Sequence, residues 1–299
     1  MEKKQAIKAV LATTLCHVLW GFSFMASSHA LSVANVFVLL SHRFLTALAL
    51  MSLIALAGFV KLDLKGKRIL PLVALGLMEP VIYFFGEQYG IIYAGTVFSG
   101  VMIAMIPVFC MLAAAPILRE KPTAGQVVFA AVSVAGVIGL GLMGGSSGTV
   151  RPIGVIALIV AVTGAAGYTL LSRSISKQFT PFERTYMMMA VGACVFTFSA
   201  AIACRGSVSA YFAPFKDTQY LLCVLFLGVF CSVVCYFMSG YAITYMPVAK
   251  EVVFSNLTTA VSVFAGVVFL HEPITWLGLV CCILILIGIW GVQKTAKDG

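Results

Sequence analysis

The chain has 299 residues, of which 62% are hydrophobic and 10% are charged, and its formal net charge is +9. A soluble domain usually carries about 25% charged residues, so a chain this poor in charge must be surrounded largely by lipid. The positive balance does not indicate nucleic acid, because the basic residues stand in short gaps between apolar runs, where membrane proteins carry them.

The nine cysteines indicate neither a metal centre nor a disulfide framework. No two of them have CxxC spacing, and nearly all fall inside apolar runs. We therefore expect small buried thiols, no metal site and no cofactor.

Ten apolar runs, each about long enough to cross a bilayer, follow one another along the chain. Glycine, proline and charged residues separate these runs, which are too continuous to be the alternating strands of a membrane barrel. We predict ten transmembrane helices over residues 6–28, 33–60, 69–92, 94–118, 124–143, 153–175, 182–204, 218–242, 247–270 and 275–293.

The distribution of lysine and arginine predicts the topology. With the N-terminus in the cytoplasm, fourteen of the nineteen basic residues fall in inner segments and three in outer ones, while Arg43 and Lys250 lie within spans. Because basic residues accumulate on the cytoplasmic side, this asymmetry predicts that both termini are cytoplasmic. We expect an integral, multi-pass protein of a bacterial plasma membrane.

The second half of the chain resembles the first half at an offset of 152 residues. Over positions 113–139, seven of 27 residues are identical to their counterparts, including the pairs Glu120–Glu272 and Gly136–Gly288. Each glutamate stands just before a helix start, where the helix dipole favours a negative charge. Since each half holds five helices, an odd number, the second copy would enter the membrane from the opposite side, as in many secondary carriers.

These features resemble the EamA-type members of the drug/metabolite transporter superfamily. The resemblance is carried by Trp20-Gly21, Arg43-Phe44, Pro107, Arg119-Glu120 and His271-Glu272. It implies an all-α membrane protein with ten transmembrane helices in two inverted five-helix repeats. We expect a first repeat over 1–145, a linker over 146–152 and a second repeat over 153–299.

Charged residues inside the spans need a reason, because a charge at a helix centre costs ~2.5–3.5 kcal/mol on insertion scales. Arg43 and Glu79 each lie about ten residues from a span end, or roughly 15 Å deep at 1.5 Å per residue. They either pair as a structural lock between spans 2 and 3, or Glu79 faces a water-filled cavity where it binds a proton or a cationic group. Glu79, Tyr83 and Glu87 are spaced to share one helix face, which favours the cavity.

The polar residues at mid-helix depth define the predicted binding site, a cavity lined by spans 1, 3, 4, 6, 8 and 9 with spans 5 and 10 at the periphery. A structural alternative exists for each: Trp20 could be a packed core residue, and small hydroxyl residues often only join helices. The predicted substrate-binding residues are His17, Trp20, Glu79, Tyr83, Ser99, Tyr168, Tyr236 and Asn256, with Arg43 and Glu87 as further intramembrane charges and Glu120 and Glu272 as the glutamates of the repeat.

The leading functional hypothesis is a secondary transporter that works by alternating access. From the family resemblance, the first expectation is export of an amino acid or related metabolite, driven by protons or by the substrate's own gradient. The expected partners are a small-molecule substrate, the lipid bilayer and protons, but no nucleic acid; no phosphate-binding loop indicates an ATPase. An intramembrane enzyme is the first alternative, although no nucleophile pairs with a base. A non-transporting scaffold or receptor is the second, although such a protein does not require inverted halves.

Overall fold

The structure is a computed structural model that describes residues 2–60, 62–64, 66–118, 122–142, 150–175, 178–245, 254–272 and 274–295. Throughout these ranges the regular secondary structure is helical, and they contain no strand. The helices of the first half are α1 Glu2–Val33, α2 Val36–Leu56, α3 Leu70–Gly76, α4 Tyr83–Ile103, α5 Ile106–Leu118 and α6 Ala124–Leu142. Those of the second half are α7 Pro152–Ile175, α8 Pro181–Ala203, α9 Val208–Phe212, α10 Thr218–Leu225, α11 Cys235–Tyr245, α12 Ser255–Phe269 and α13 Trp276–Lys294.

Two π-helical segments interrupt the helical ladder within the membrane. One, Leu77–Ile82, joins α3 to α4, and the other, Phe226–Val234, joins α10 to α11. In the following text, the third span is α3, the first π-helical segment and α4 as far as Gly95, and the eighth span is α10, the second π-helical segment and α11. Such bulges are frequent at functional sites.

Six helices are long and apolar enough to cross a membrane, and three shorter apolar helices accompany them in the described ranges. The six are Ile7–Val33, Val36–Leu56, Leu70–Ile103, Pro152–Ser172, Pro181–Ala203 and Thr218–Ser239. The long run Leu70–Ile103 is itself broken at Gly95, whose φ of 80° and ψ of 169° suit glycine almost alone. This break lies close to the predicted boundary between spans 3 and 4, but the count of ten spans stays a prediction.

Helix starts follow local sequence signals. Thr180 and Glu183 form a reciprocal capping box at the start of α8, with Pro181 in its first turn. Lys67, in the loop before α3, forms an ion pair with Glu183 at 2.7 Å and so joins that loop to α8.

Helices α6 and α13 pack against each other in opposite directions. The Ser133 hydroxyl donates to the carbonyl of Ile285 at 3.2 Å. One end of the contact brings Gly139 against Cys281, so rising numbers in α6 meet falling numbers in α13.

The same interface contains two equivalent glycine contacts. Gly136 fits against Ile285, and Gly288 fits against Ser133, in both cases too closely for a side chain. An offset of 152 converts each of these pairs into the other. Corresponding helices of the two halves thus meet through matching surfaces, although the complete inverted repeat remains a prediction.

The most extensive remaining contacts join α4 to α7, α2 to α8, and α1 to both α11 and α12. One buried cluster includes Phe44 of α2, Phe84 of α4 and Phe196 of α8. Tyr83, Tyr168 and Tyr236 are half-buried against the same cluster, so it supports the polar groups of the candidate site.

Candidate functional site

The third span is broken at Glu79. Its φ of −142° and ψ of 116° are extended rather than helical, as expected for a residue that precedes proline. Pro80 also lacks the N–H group that would continue the helical ladder. The sequence therefore places a carboxylate at a point where the backbone of the helix is interrupted.

The eighth span meets this break directly. The Tyr236 hydroxyl donates a hydrogen bond to Oε1 of Glu79. Tyr236 lies just after the π-helical segment Phe226–Val234. Its hydrogen bond to Glu79 therefore connects the irregular parts of the two spans. This contact forms the centre of the candidate site.

Glu87 lies two turns further along α4 and is 4% exposed. The Tyr83 hydroxyl donates to its Oε1 at 3.0 Å, and Nε2 of Gln88 donates to its Oε2 at 2.9 Å. Sequence analysis predicted an intramembrane charge at Glu87, and the structure buries this side chain with both oxygens hydrogen-bonded. Tyr83 and Glu87 do share a helix face, but the break moves Glu79 off the regular continuation of that face.

Arg43 is 2% exposed in α2. Its Nε donates to the Ser232 hydroxyl at 3.0 Å, and its guanidinium carbon lies 4.2 Å from the centroid of the Phe84 ring. Among the described residues it forms no ion pair with Glu79. The structural lock between spans 2 and 3 that we considered is therefore not formed; an aromatic face and a hydroxyl hold this charge instead.

Ser232 is a site residue that sequence analysis missed. Its hydroxyl accepts from Arg43 and donates to the carbonyl of Leu227, five residues earlier, at 2.9 Å. A serine in an apolar run reads as helix glue. The bond to Leu227 depends on the π-helical register of this segment, and no local sequence pattern in Phe226–Val234 predicts that register.

Trp20 and His17 form an aromatic wall on α1. The indole N–H of Trp20 donates to the carbonyl of Cys231 at 3.0 Å, and its ring meets that of Tyr236 edge-on with centroids 5.7 Å apart. The His17 ring lies 5.3 Å from that of Trp20, and its Nδ1 is 2.9 Å from the Thr258 hydroxyl oxygen. Trp20 is therefore a packed residue that contacts Tyr236, and its role in substrate binding stays a prediction.

The remaining predicted substrate-binding residues have different surroundings. Tyr168 joins the aromatic cluster beside Tyr236. Ser99 is fully buried and donates to the carbonyl of Gly95 in its own helix at 2.7 Å. In the described structure, Oδ1 of Asn256 is buried without a hydrogen-bond partner, which leaves it able to accept from a ligand or from water.

The repeat glutamate Glu272 does not cap the helix that follows it; Thr275 does so for α13. Instead, its carboxylate accepts from the backbone N–H groups of Thr96 and Val97, at 2.8 and 3.0 Å. Glu120, its counterpart, lies outside the described residues.

The structure therefore has several apolar, membrane-spanning helices, two of them broken at positions where buried polar groups meet. Broken helices that face each other at mid-membrane are typical of carriers. This arrangement defines an integral, multi-pass membrane protein.

The chain belongs to the EamA-like transporter family, which it matches over residues 7–142 and again over 152–293. A relative from Bacillus subtilis (strain 168), "Uncharacterized transporter YcxC", is 33% identical across 100% of this chain and 98% of its own. "Probable terminal-alkyne amino-acid exporter" from Streptantibioticus cattleyicolor is 26% identical, over 96% of this chain and 94% of its own. One solved structure matches with a TM-score of 0.64 and 18% identity over 97% of each chain, which shows the fold alone.

Proposed function

We propose that this protein is a secondary transporter that works by alternating access and exports a small, amino-acid-like metabolite in exchange for protons. The observation that carries the proposal is the contact between Glu79 and Tyr236, which joins the broken third span to the irregular eighth span. Helices broken at mid-membrane expose backbone groups and polar side chains to a substrate while their two halves tilt separately.

Alternating access is supported by the packing of α6 against α13. Matching glycines, Gly136 and Gly288, make equivalent contacts in an antiparallel pair. We propose that this pair lies at the periphery and relates two inverted five-helix repeats, over 1–145 and 153–299, in a bacterial plasma membrane. On this topology both termini are cytoplasmic and Glu272 is outside.

The topology has a direct test. In a protein lacking the native cysteines, Glu272→Cys should react with a membrane-impermeant thiol reagent added to intact cells, and Glu120→Cys should not. The reverse result would contradict the proposed topology.

The buried charges favour a zwitterionic substrate. A guanidinium at Arg43 offers donors to a carboxylate, while the carboxylate of Glu79 offers acceptors to an ammonium group. Trp20 and Tyr236 supply an aromatic wall for an apolar side chain. The name of the Streptantibioticus cattleyicolor relative, an amino-acid exporter, points in the same direction.

Proton exchange follows from the balance of charge in this group. Two carboxylates, Glu79 and Glu87, accompany one guanidinium, Arg43, inside the membrane. A bare excess of negative charge is costly there, so a positive charge is needed: either a proton or the ammonium group of the substrate. Both would occupy Glu79, because Glu87 already has both oxygens hydrogen-bonded within α4. Because a proton and the ammonium group of the substrate cannot occupy this carboxylate at the same time, the entry of a proton drives the exit of the substrate.

Proteoliposome flux tests the proposal. Purified protein should exchange a labelled amino acid against an unlabelled one, and an imposed proton gradient should drive net accumulation. Glu79→Gln should abolish the response to the gradient. A folded protein that moves none of a broad metabolite panel would favour a scaffold or receptor, and chemical conversion of a panel member would favour an intramembrane enzyme.

A further inference from the structure

Glu272 connects two helices that are far apart in sequence. Its two oxygens accept from Thr96 and Val97, the first N–H groups after the break at Gly95. Such groups at the start of a helix have no partner within the helix, and the helix dipole adds to their attraction for an anion. The bond is therefore charge-assisted and bidentate.

Asp217 shows what the same chemistry does locally. Its Oδ1 accepts from the N–H groups of Gln219 and Tyr220, at 2.7 and 3.0 Å, and so caps the helix that it precedes. Glu272 instead reaches a helix start 176 residues away. Asp217 stabilises one helix, whereas Glu272 stabilises the contact between two.

The contact between α4 and α12 next to Glu272 is formed by small residues. Gly266 of α12 lies against Val97, and Ser262 lies against Gly100, in both cases without room for a side chain on the glycine. The Thr259 hydroxyl donates to the carbonyl of Gly100 at 3.2 Å. Small residues thus let α4 and α12 approach closely at this end, and Glu272 adds two hydrogen bonds between the same two parts of the chain.

We infer that Glu272 is a latch that holds the α4–α12 contact closed at one membrane face, and that its release opens a path from that face towards Ser99. The inference rests on the alternating access proposed above. Gly95 permits the movement, because glycine has no side chain and so can adopt the positive φ at the point where α4 would tilt.

Thiol labelling at Ser99 tests the latch. Ser99 is fully buried one turn after Thr96, so Ser99→Cys is a conservative reporter. The labelling rate by an impermeant reagent is counted against the protein without this reporter, in intact cells and in inverted vesicles. We expect Glu272→Ala to raise the rate about tenfold or more from one side only, since two charge-assisted hydrogen bonds are lost. Asp217→Ala, the matched control, removes an equivalent local cap and should leave the rate unchanged.

A second variant and a second reporter keep the result interpretable. Glu272→Gln retains one acceptor oxygen and should raise the rate about threefold even if the alanine variant is unstable. Ser133→Cys reports on the α6–α13 contact, which the latch does not touch. An unchanged rate at Ser99, an equal rise at Ser133, or an equal rise from both sides would overturn the latch. Because labelling needs no substrate, a rise on one side without flux of any metabolite would retain the latch and reject the proposed transport.

Discussion

The third and eighth spans are both interrupted within the membrane, but the two interruptions are built differently. In the third span the break carries a carboxylate, Glu79, in an extended backbone conformation beside proline. In the eighth span the break is a π-helical segment without a charge, and side chains from other helices are bonded to it. Trp20 donates to the carbonyl of Cys231, and Arg43 donates to Ser232.

This difference suggests that the break in the third span takes part in transport, whereas the break in the eighth span holds the neighbouring helices in place. In the transport cycle that we propose, the break at Glu79 presents an ionisable group whose bond to Tyr236 is exchanged for a bond to a substrate or to water. The break in the eighth span is tied to α1 and α2, so it fixes the position of Tyr236 relative to them. We therefore expect changes at the break of the third span to alter transport, and changes within the π-helical segment of the eighth span to alter stability.

The largest expected effect is that of Glu79→Gln. This variant keeps the size of the side chain but can neither ionise nor exchange a proton. Transport should fall roughly 10- to 100-fold, the equivalent of a lost hydrogen bond to a charged group at ~1.5–3 kcal/mol, and its pH dependence should disappear. Proteoliposome flux across a range of pH, with thermal unfolding alongside, measures both.

Glu87→Gln is the matched control for this prediction. Glu87 lies in the regular part of α4 with both oxygens hydrogen-bonded, so its loss should lower stability. Because the variant also removes one of the two buried negative charges, it should shift the pH profile of transport but not abolish it. Identical pH profiles for the wild type and Glu79→Gln would break the comparison between the spans.

A smaller effect is expected from Ser232→Ala in the eighth span. The change leaves the buried Nε of Arg43 without its acceptor, which costs about 1–3 kcal/mol of unfolding free energy. The midpoint of thermal unfolding in detergent should fall accordingly. Ser99→Ala removes an equally buried hydroxyl that bonds within its own helix, and should be milder. Equal losses for the two serines would argue that the eighth span is not clamped by α2.

The smallest effect is expected from Trp20→Phe. An aromatic ring remains beside Tyr236, but the carbonyl of Cys231 loses its donor, at a cost of about 1 kcal/mol. Thermal unfolding should show a slight decrease while the pH profile of transport stays that of the wild type. A changed pH profile would instead assign Trp20 to the same chemical unit as Glu79.

Sequence patterns identified several residues of the candidate site but not the hydrogen-bond partners of those residues. The depth of Arg43 and Glu79 follows from counting residues along apolar runs, and it left open whether the two pair or Glu79 faces a cavity. The structure gives Arg43 to Ser232 and Phe84, and gives Glu79 to Tyr236, because hydrogen-bond geometry depends on which helices are neighbours. Ser232 escaped notice since a single serine in an apolar run has no distinguishing local pattern.

The glutamate of the repeat shows the same limit. Its recurrence at an offset of 152 residues was visible in the sequence, and its affinity for a helix start was expected from the dipole. Of the helix starts that it could bind, the sequence pointed to the one that directly follows it. The nearer one is capped by Thr275, and Glu272 instead binds the helix that begins after Gly95.

By itself, the sequence determined that the chain is helical and immersed in lipid, because composition and the length of apolar runs depend only on local chemistry. Pro80 is a local signal for the break in the third span, since it lacks an N–H wherever its helix packs, although the predicted shared face of this span assumed a continuous helix. Only the tertiary structure decided that Tyr236 binds Glu79, that Arg43 binds Ser232 and that Glu272 joins α4 to α12. Inside a membrane an unpartnered buried polar group is costly, but many neighbouring helices can supply a partner, and the packing of the helices selects among them.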